Sequence, residues 1–226
     1  MLVRIPSVLS SDEVAACRRI LAGGAWVDGR ATAGQQSTLA KHNLQVPEEA
    51  AEARELGQAI LTALGRNPTF VSAALPNRVF PPLFNRYDVG MTFGAHVDNA
   101  IRFAPGNIRV RTDLSCTLFL TPPEDYDGGE LVIEDVYGEK SVKFDAGDMV
   151  LYPASSLHRV TPVTRGSRWA AFSWVQSMVK DDGQRALLHR MDTAIQETRG
   201  ALGDAHSAVL TLTATYHNLL RMWAEV

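Results

Sequence analysis

The middle of the chain contains the segment Phe84-Asn-Arg-Tyr-Asp-Val-Gly-Met-Thr-Phe-Gly-Ala-His-Val-Asp-Asn99. It has the pattern of a glycine-interrupted strand that ends in His96-Val97-Asp98. Side chains on a strand return to the same face at every second residue, so His96 and Asp98 are expected to lie side by side. A glycine inside a strand often marks a bend or the close approach of a ligand. The segment therefore predicts a strand that presents two metal ligands together.

A distant histidine, His158, supplies the third ligand of the predicted site. Two histidines and one carboxylate hold ferrous iron by one face and leave the other face open for chemistry. A zinc hydrolase can use the same ligands. The chain lacks, however, the HExxH arrangement that gives such enzymes a general base. A lone His-x-Asp arises often by chance, but together with His158 it predicts that His96, Asp98 and His158 bind Fe(II).

Arg168 follows His158 with nine residues between them and begins a predicted strand, Arg168-Trp-Ala-Ala-Phe-Ser-Trp174. On that strand Arg168 shares a face with Ala170, Phe172 and Trp174. A charge on an otherwise apolar face is costly unless it is paired. A bound carboxylate would pair with it in a bidentate fork. An ordinary surface ion pair at a turn is the alternative, and the ligands upstream favour the carboxylate.

Short strands separated by turn signals occupy the chain from about Thr69 to Ser177. This pattern predicts a mainly β core, a sandwich or barrel of the jelly-roll kind. The predicted strands are Leu114–Leu120, Leu131–Ile133, Val142–Phe144, Met149–Tyr152, Arg159–Val163 and Trp169–Val175.

Helices are predicted on both sides of this core. Ser10 and Glu13 have capping-box spacing before an apolar pattern that Gly23-Gly24 ends. Residues 25–46 are irregular, and a second helix is expected from Pro47 to Gly65. Two more helices follow Val179, and the apolar face of the last is either a homodimer surface or a surface packed on the same chain.

Composition limits the class of protein. The 226 residues, 46% of them hydrophobic, are enough for one sizeable domain with additions or for two small ones. A net charge of −3 argues against a nucleic-acid-binding surface. The two cysteines form no CxxC pair, and no apolar run approaches the roughly 18 residues that span a bilayer. We expect a cytoplasmic protein without a membrane partner.

Four segments of the chain have motifs in common with a known family. They are Phe84–Asn99, Tyr126-Asp-Gly-Gly-Glu-Leu131, Ala146-Gly-Asp-Met-Val-Leu-Tyr-Pro153 and Leu157-His-Arg-Val-Thr-Pro-Val163. Together they resemble the 2-oxoglutarate- and Fe(II)-dependent dioxygenases of the prolyl-hydroxylase branch. More narrowly, the chain resembles the bacterial PKHD-type hydroxylases over nearly its whole length, including a similar tail at Tyr216–Trp223.

This resemblance implies a double-stranded β-helix core with flanking helices. It implies an N-terminal helical region at residues 1–77 that packs on the core, a dioxygenase domain at 78–178 and a C-terminal helical extension at 179–226. Arg168 would bind the distal carboxylate of 2-oxoglutarate. Tyr87 would either hydrogen-bond the co-substrate or pack in the barrel. A tyrosine that contacts the same carboxylate in some prolyl hydroxylases corresponds here to Phe119.

The resemblance also implies a hydroxylase that uses dioxygen, Fe(II), 2-oxoglutarate and L-ascorbate, the last restoring ferrous iron. Two substrate classes remain open, a small molecule linked to iron uptake and a peptidyl proline or lysine. Arg102, Arg109 and Arg111 form either a basic lip for an anionic substrate or a solvated loop. A metal-binding sensor without turnover and a metabolite-binding jelly roll are the non-enzymatic alternatives.

Overall fold

Two antiparallel sheets form the centre of the computed structural model, which describes residues 1–32 and 40–225. The larger sheet has eight strands in the order β1-β14-β10-β17-β6-β4-β2, with β5 paired to β17. The smaller has five, in the order β13-β12-β15-β7-β3. Two short pairs, the β8–β9 hairpin and the β11–β16 pair, complete the strands of the described residues. This arrangement is the predicted jelly roll with flanking helices.

The strands are β1 (Val3–Ile5), β2 (Val27–Asp28), β3 (Lys41–His42), β4 (Leu44–Gln45), β5 (Pro76–Val79), β6 (Leu83–Tyr87), β7 (Thr92–His96), β8 (Ile101–Ala104), β9 (Ile108–Arg111), β10 (Leu114–Phe119), β11 (Asp127–Gly128), β12 (Leu131–Asp135), β13 (Gly138–Val142), β14 (Met149–Pro153), β15 (His158–Val160), β16 (Val163–Arg165) and β17 (Arg168–Ser177). The helices are α1 (Ser11–Ala22), α2 (Ala51–Arg66), α3 (Pro68–Ala74), α4 (Asp182–Leu202) and α5 (Ser207–Trp223).

The larger sheet is covered on both faces, which explains why its central strands are apolar throughout. In β10, Leu118 packs toward the N-terminal helices, whereas the adjacent Phe119 packs between the two sheets. In β14, Leu151 likewise packs toward the helices and Tyr152 packs between the two sheets. Because successive side chains on a strand point to opposite faces, each strand contributes to two cores.

Local signals account for the first helix and for the boundary between the next two. Ser10 accepts from the Glu13 backbone N–H, and the Glu13 carboxylate accepts from the Ser10 backbone N–H, as the spacing predicted. Helix α2 begins at Ala51 rather than at Pro47, which lies in the preceding turn. It also runs past Gly65, because the chain turns only at Asn67, whose side chain caps α3.

Three strand assignments from the sequence differ from the structure. Helix α3 occupies residues that the turn pattern placed in the strand region. The strand expected at Val142–Phe144 lies earlier, as β13. The strand expected at Arg159–Val163 is divided into β15 and β16 around Pro162, which has no N–H to donate to a ladder.

The two C-terminal helices pack on the rest of the chain. Leu75, Val179 and Leu188 form a buried cluster against which α5 places Tyr216 and Trp223. This is the intramolecular packing that the sequence left open as one alternative, and the homodimer stays a prediction. Among the described residues, no helix is both long enough and apolar enough to cross a membrane.

Candidate active site

Sheet pairing brings the two predicted histidine ligands together. Strands β15 and β7 pair so that His158 lies directly opposite His96. Their ring centroids are 4.2 Å apart. Strand β7 ends at His96, so Asp98 lies just beyond the strand rather than on it. Even so, donor atoms of His96, Asp98 and His158 lie within 4.8 Å of one another, the one such cluster found in the described part of the chain.

Both imidazoles are oriented by backbone carbonyls. The Nδ1 of His96 lies 2.8 Å from the carbonyl oxygen of Gly94, and the Nδ1 of His158 lies 3.0 Å from that of Ser156. Each Nδ1–H therefore donates to a carbonyl, which leaves the Nε2 lone pair available for a metal. Burial and the neighbouring His158 lower the pKa of His96 to about 4, so this ring is neutral at neutral pH.

Ser115 orients the carboxylate of the cluster. Its hydroxyl donates to Asp98 Oδ2 at 2.6 Å from strand β10 of the opposite sheet. The Asp98 carboxylate is largely buried, and its Oδ2 lies 3.7 Å from His158 Nε2. Two imidazole nitrogens and one carboxylate oxygen fit the donor set of a facial triad for Fe(II).

Arg168 lines the same pocket as the three donors. The residue is 1% exposed, and its Nε and Nη1 have no hydrogen-bond partner among the described residues. Its guanidinium lies 5.3 Å from the ring centroid of Tyr87 and 5.5 Å from that of Phe119. A buried guanidinium with unused donors is expensive unless an anion binds it, so the pocket fits a carboxylate at this end.

Sequence comparison identifies the family. Residues 182–225 match the PKHD-type hydroxylase C-terminal domain, and residues 82–176 match the 2OG-Fe(II) oxygenase superfamily. The PKHD-type hydroxylase of Gluconobacter oxydans is 65% identical over 227 residues, with 100% of both chains covered. The chain belongs to the PKHD-type hydroxylase family. It is an enzyme, a hydroxylase of the 2OG-Fe(II) oxygenase superfamily.

Solved structures support the fold of this PKHD-type hydroxylase. A Pseudomonas putida prolyl-4-hydroxylase matches with a TM-score of 0.51 and 22% identity, covering 78% of this chain and 92% of its own. A Trichoplax adhaerens prolyl hydroxylase, solved with a hypoxia inducible factor peptide fragment, matches with a TM-score of 0.55 and 16% identity, covering 82% and 86%. At these identities the likeness concerns the jelly-roll core alone.

Two tyrosines adjoin Arg168 in the PKHD-type hydroxylase. Tyr87 lies opposite Arg168 in the β6–β17 pairing and lines the pocket. Tyr126 is fully buried, and its hydroxyl has no hydrogen-bond partner among the described residues. Burial raises the pKa of Tyr126, and the Arg168 guanidinium opposes this change. Tyr126 was missed from the sequence, although it begins the Tyr-Asp-Gly-Gly-Glu motif.

The three arginines of the predicted basic lip occupy different positions in the structure. Its segment forms the β8–β9 hairpin, and Arg102 lines the pocket. Arg111 instead binds the carboxylates of Asp113 and Glu225. Arg109 is exposed and absent from the pocket wall. Lys41 is a further basic residue of the wall and lies on β3, within the segment predicted to be irregular.

The remaining four histidines lie outside the pocket wall of the described residues. His189 Nδ1 lies 2.8 Å from the Ser72 hydroxyl, between α4 and α3. His206 caps α5. These contacts give His189 and His206 structural roles away from the pocket.

Proposed function

We propose that this PKHD-type hydroxylase binds Fe(II) through His96, Asp98 and His158, and binds the distal carboxylate of 2-oxoglutarate through Arg168. When bound, the iron and 2-oxoglutarate supply the oxidising chemistry, in which dioxygen hydroxylates a substrate while 2-oxoglutarate becomes succinate and carbon dioxide. Tyr87, which lines the pocket beside Arg168, is proposed as a further contact for the co-substrate.

The buried, incompletely paired guanidinium of Arg168 is the observation that carries the proposal. A metal-binding module without turnover has no need of a second anion site in the same pocket. In a metabolite-binding jelly roll, the convergence of three oriented metal donors on that pocket would be unexplained. The combination fits an enzyme that holds a metal at one point and a dicarboxylate between that point and Arg168.

The protein's own residues prepare the site. The Gly94 and Ser156 carbonyls fix the imidazoles, and Ser115 holds the Asp98 carboxylate toward them. Such outer contacts orient ligands and maintain the protonation state that a metal needs. Phe93 stacks on His96 with centroids 3.6 Å apart and shields one side of the ring from water.

An anaerobic titration of metal-free protein with Fe(II) and 2-oxoglutarate tests the proposal. We expect a visible charge-transfer band in the wild type. Asp98→Ala should lose the band through loss of iron. Arg168→Ala should still bind iron. It should need at least about 30-fold more 2-oxoglutarate to reach half of the full band, because a charge-assisted bidentate contact is removed.

Arg159→Ala is the matched control for these variants. Arg159 adjoins His158 on β15, but its side chain pairs with Glu139 on the outer face of the sheet. This variant should titrate as the wild type does. A full band in Asp98→Ala, or unchanged 2-oxoglutarate affinity in Arg168→Ala, would contradict the assignment of these residues.

Two finer proposals rest on family membership. L-Ascorbate would sustain turnover by returning the iron to the ferrous state, so the number of turnovers per enzyme should rise when ascorbate is added. The substrate would be linked to iron uptake or homeostasis, so deletion of the gene should alter growth under iron limitation. Equal growth of deleted and intact strains under that condition would count against the link.

A further inference from the structure

We infer that Lys41 and Arg102 form a subsite for a carboxylate of the substrate, on the wall of the pocket whose metal and 2-oxoglutarate sites are proposed above. Lys41 reaches the pocket from β3, which pairs with β7 so that Lys41 lies opposite Phe93. Arg102 reaches it from the β8–β9 hairpin. Both residues line the pocket that contains His96, Asp98 and His158. This inference rests on the proposed function and names the substrate class.

Both cations are withdrawn from solvent and lie on aromatic rings. Lys41 is 7% exposed, and its ammonium donates to Gln45 Oε1 at 3.1 Å and lies 5.3 Å from the Phe93 centroid. The Arg102 side chain is 17% exposed, and its guanidinium lies 4.1 Å from the Trp174 centroid. Aromatic faces attract cations and hold them in place without neutralising them.

Carboxylates of the protein neutralise the Arg102 guanidinium only weakly. Its nearest carboxylate is that of Glu48, at 3.8 Å, and the Glu48 side chain is 36% exposed. The Arg102 Nε has no hydrogen-bond partner among the described residues. A guanidinium in this position retains donors and charge for a ligand in the pocket.

The balance of charge in the pocket indicates the class of ligand that Lys41 and Arg102 would bind. Among the described residues of the pocket wall, Asp98 is the acidic side chain, whereas Lys41, Arg102 and Arg168 are basic. Asp98 and the two carboxylates of 2-oxoglutarate match the charge of Fe(II) and Arg168. Lys41 and Arg102 add two further positive charges; the partly exposed Glu48 carboxylate lies 3.8 Å from Arg102 and offsets part of one, so a substrate carboxylate would offset the other.

The rest of the wall suits an apolar body attached to that carboxylate. Phe172 and Trp174 share the pocket face of β17, with ring centroids 5.6 Å apart. Aromatic rings favour flat or aliphatic groups. A carboxylate from a small organic acid and one from an acidic peptide present the same chemistry here, and the test below distinguishes them.

The test uses enzyme loaded anaerobically with Fe(II) and saturating 2-oxoglutarate, and calorimetry with two pairs of probes. Benzoate and benzamide form the small-molecule pair. Acetyl-Gly-Glu-Pro-Glu-Gly amide and its Gln counterpart form the peptide pair. We expect one carboxylate probe to bind about tenfold tighter than its neutral partner, with the charge-transfer band retained. The pair that discriminates identifies the source.

Lys41→Met and Arg102→Gln should each weaken the preferred carboxylate about tenfold, a loss typical of one charge-assisted contact, and leave 2-oxoglutarate affinity unchanged. Lys41→Arg, which keeps the charge, should retain part of the preference. Arg109→Gln is the matched control, because Arg109 is exposed on the same hairpin and lies outside the pocket wall.

Three outcomes would overturn the subsite. They are equal binding of charged and neutral probes in both pairs, unchanged carboxylate affinity in Lys41→Met and Arg102→Gln, and loss of the band when a carboxylate is added, which would mean competition at Arg168. Absence of the band before any probe is added would instead count against the proposed function. A retained band in each variant shows that its site is folded.

Discussion

The buried ammonium of Lys41 destabilises the folded state. Burial, followed by the charge of Arg102, lowers its pKa from 10.5 to about 8, against the attraction of Asp98, Asp28 and Glu48. The folded chain therefore holds this proton less tightly than the unfolded chain does. Below pH 8 the charged lysine destabilises the fold by about 3 kcal/mol, and this penalty disappears as the pH rises toward 10.5.

We predict that Lys41→Met raises the free energy of unfolding of the metal-free protein by about 2 kcal/mol near pH 7, after allowance for the lost Gln45 hydrogen bond. The gain should shrink to nothing near pH 10. Chemical denaturation across this range measures it. Lys140→Met, on the exposed strand β13, should show little change at any pH. A gain for Lys41→Met that does not depend on pH would mean that packing, and not charge, is responsible.

The sequence predicts five candidate site residues that the structure brings into one pocket, His96, Asp98, His158, Arg168 and Tyr87. Their residue types and spacing are what a metal site and a carboxylate site require, so they could be predicted directly. Lys41 could not be found in this way. It reaches the pocket through a two-residue strand, and a segment so short has no periodicity that would reveal its pairing with β7.

At the scale of the elements, the segment Asp127-Gly128-Gly129 begins in the β11–β16 pair and continues to a position beside Arg168. Gly128 has a φ of +68°, and a Cβ there would lie 2.0 Å from the Pro162 carbonyl oxygen. A Cβ on the next residue, Gly129, would lie 3.2 Å from Arg168 Cδ. Only glycine fits this close approach of two backbones.

We predict that Gly128→Ala destabilises the fold by about 3 kcal/mol or more, because backbone strain and a backbone clash add together. Gly138→Ala provides the matched control. Gly138 also has a positive φ, +109°, but a Cβ there would meet nothing within 4 Å. Its cost should be about 1–2 kcal/mol. Equal midpoints of the two variants in thermal or urea unfolding would contradict the proposed clash.

The boundaries of elements were predictable where a local signal acts alone. The capping box determines the beginning of α1, as predicted, whereas the break between β15 and β16 at Pro162 falls inside the strand predicted at Arg159–Val163. Helix α3 was missed because its seven residues are too few for helical periodicity to be distinguished from a strand. The sequence signals for this helix are Asn67 as N-cap and Pro68 in the first turn.

At the scale of the whole molecule, Arg111 connects three distant parts of the chain. From the β8–β9 hairpin it donates to Asp113 at the entrance to β10, to the Ser177 carbonyl oxygen at the end of β17, and to Glu225 at the C-terminus. The Asp113 side chain is 6% exposed, and it also accepts from the Ser177 backbone N–H at 2.9 Å. The hairpin that carries Arg102 is thus held to the C-terminal extension through one guanidinium.

We predict that Arg111→Met destabilises the protein by about 3 kcal/mol, since it leaves the Asp113 carboxylate buried without its cation. Glu225→Ala should cost under about 1 kcal/mol, because that carboxylate is exposed and screened by water. Arg109 is exposed and lies two residues before Arg111 on β9, so Arg109→Met should change the free energy of unfolding very little. Denaturation curves measure the three, and hydrogen exchange should show faster opening of residues 99–112 in Arg111→Met alone. Equal effects of Arg111→Met and Arg109→Met would mean that the hairpin is held by its apolar contacts instead.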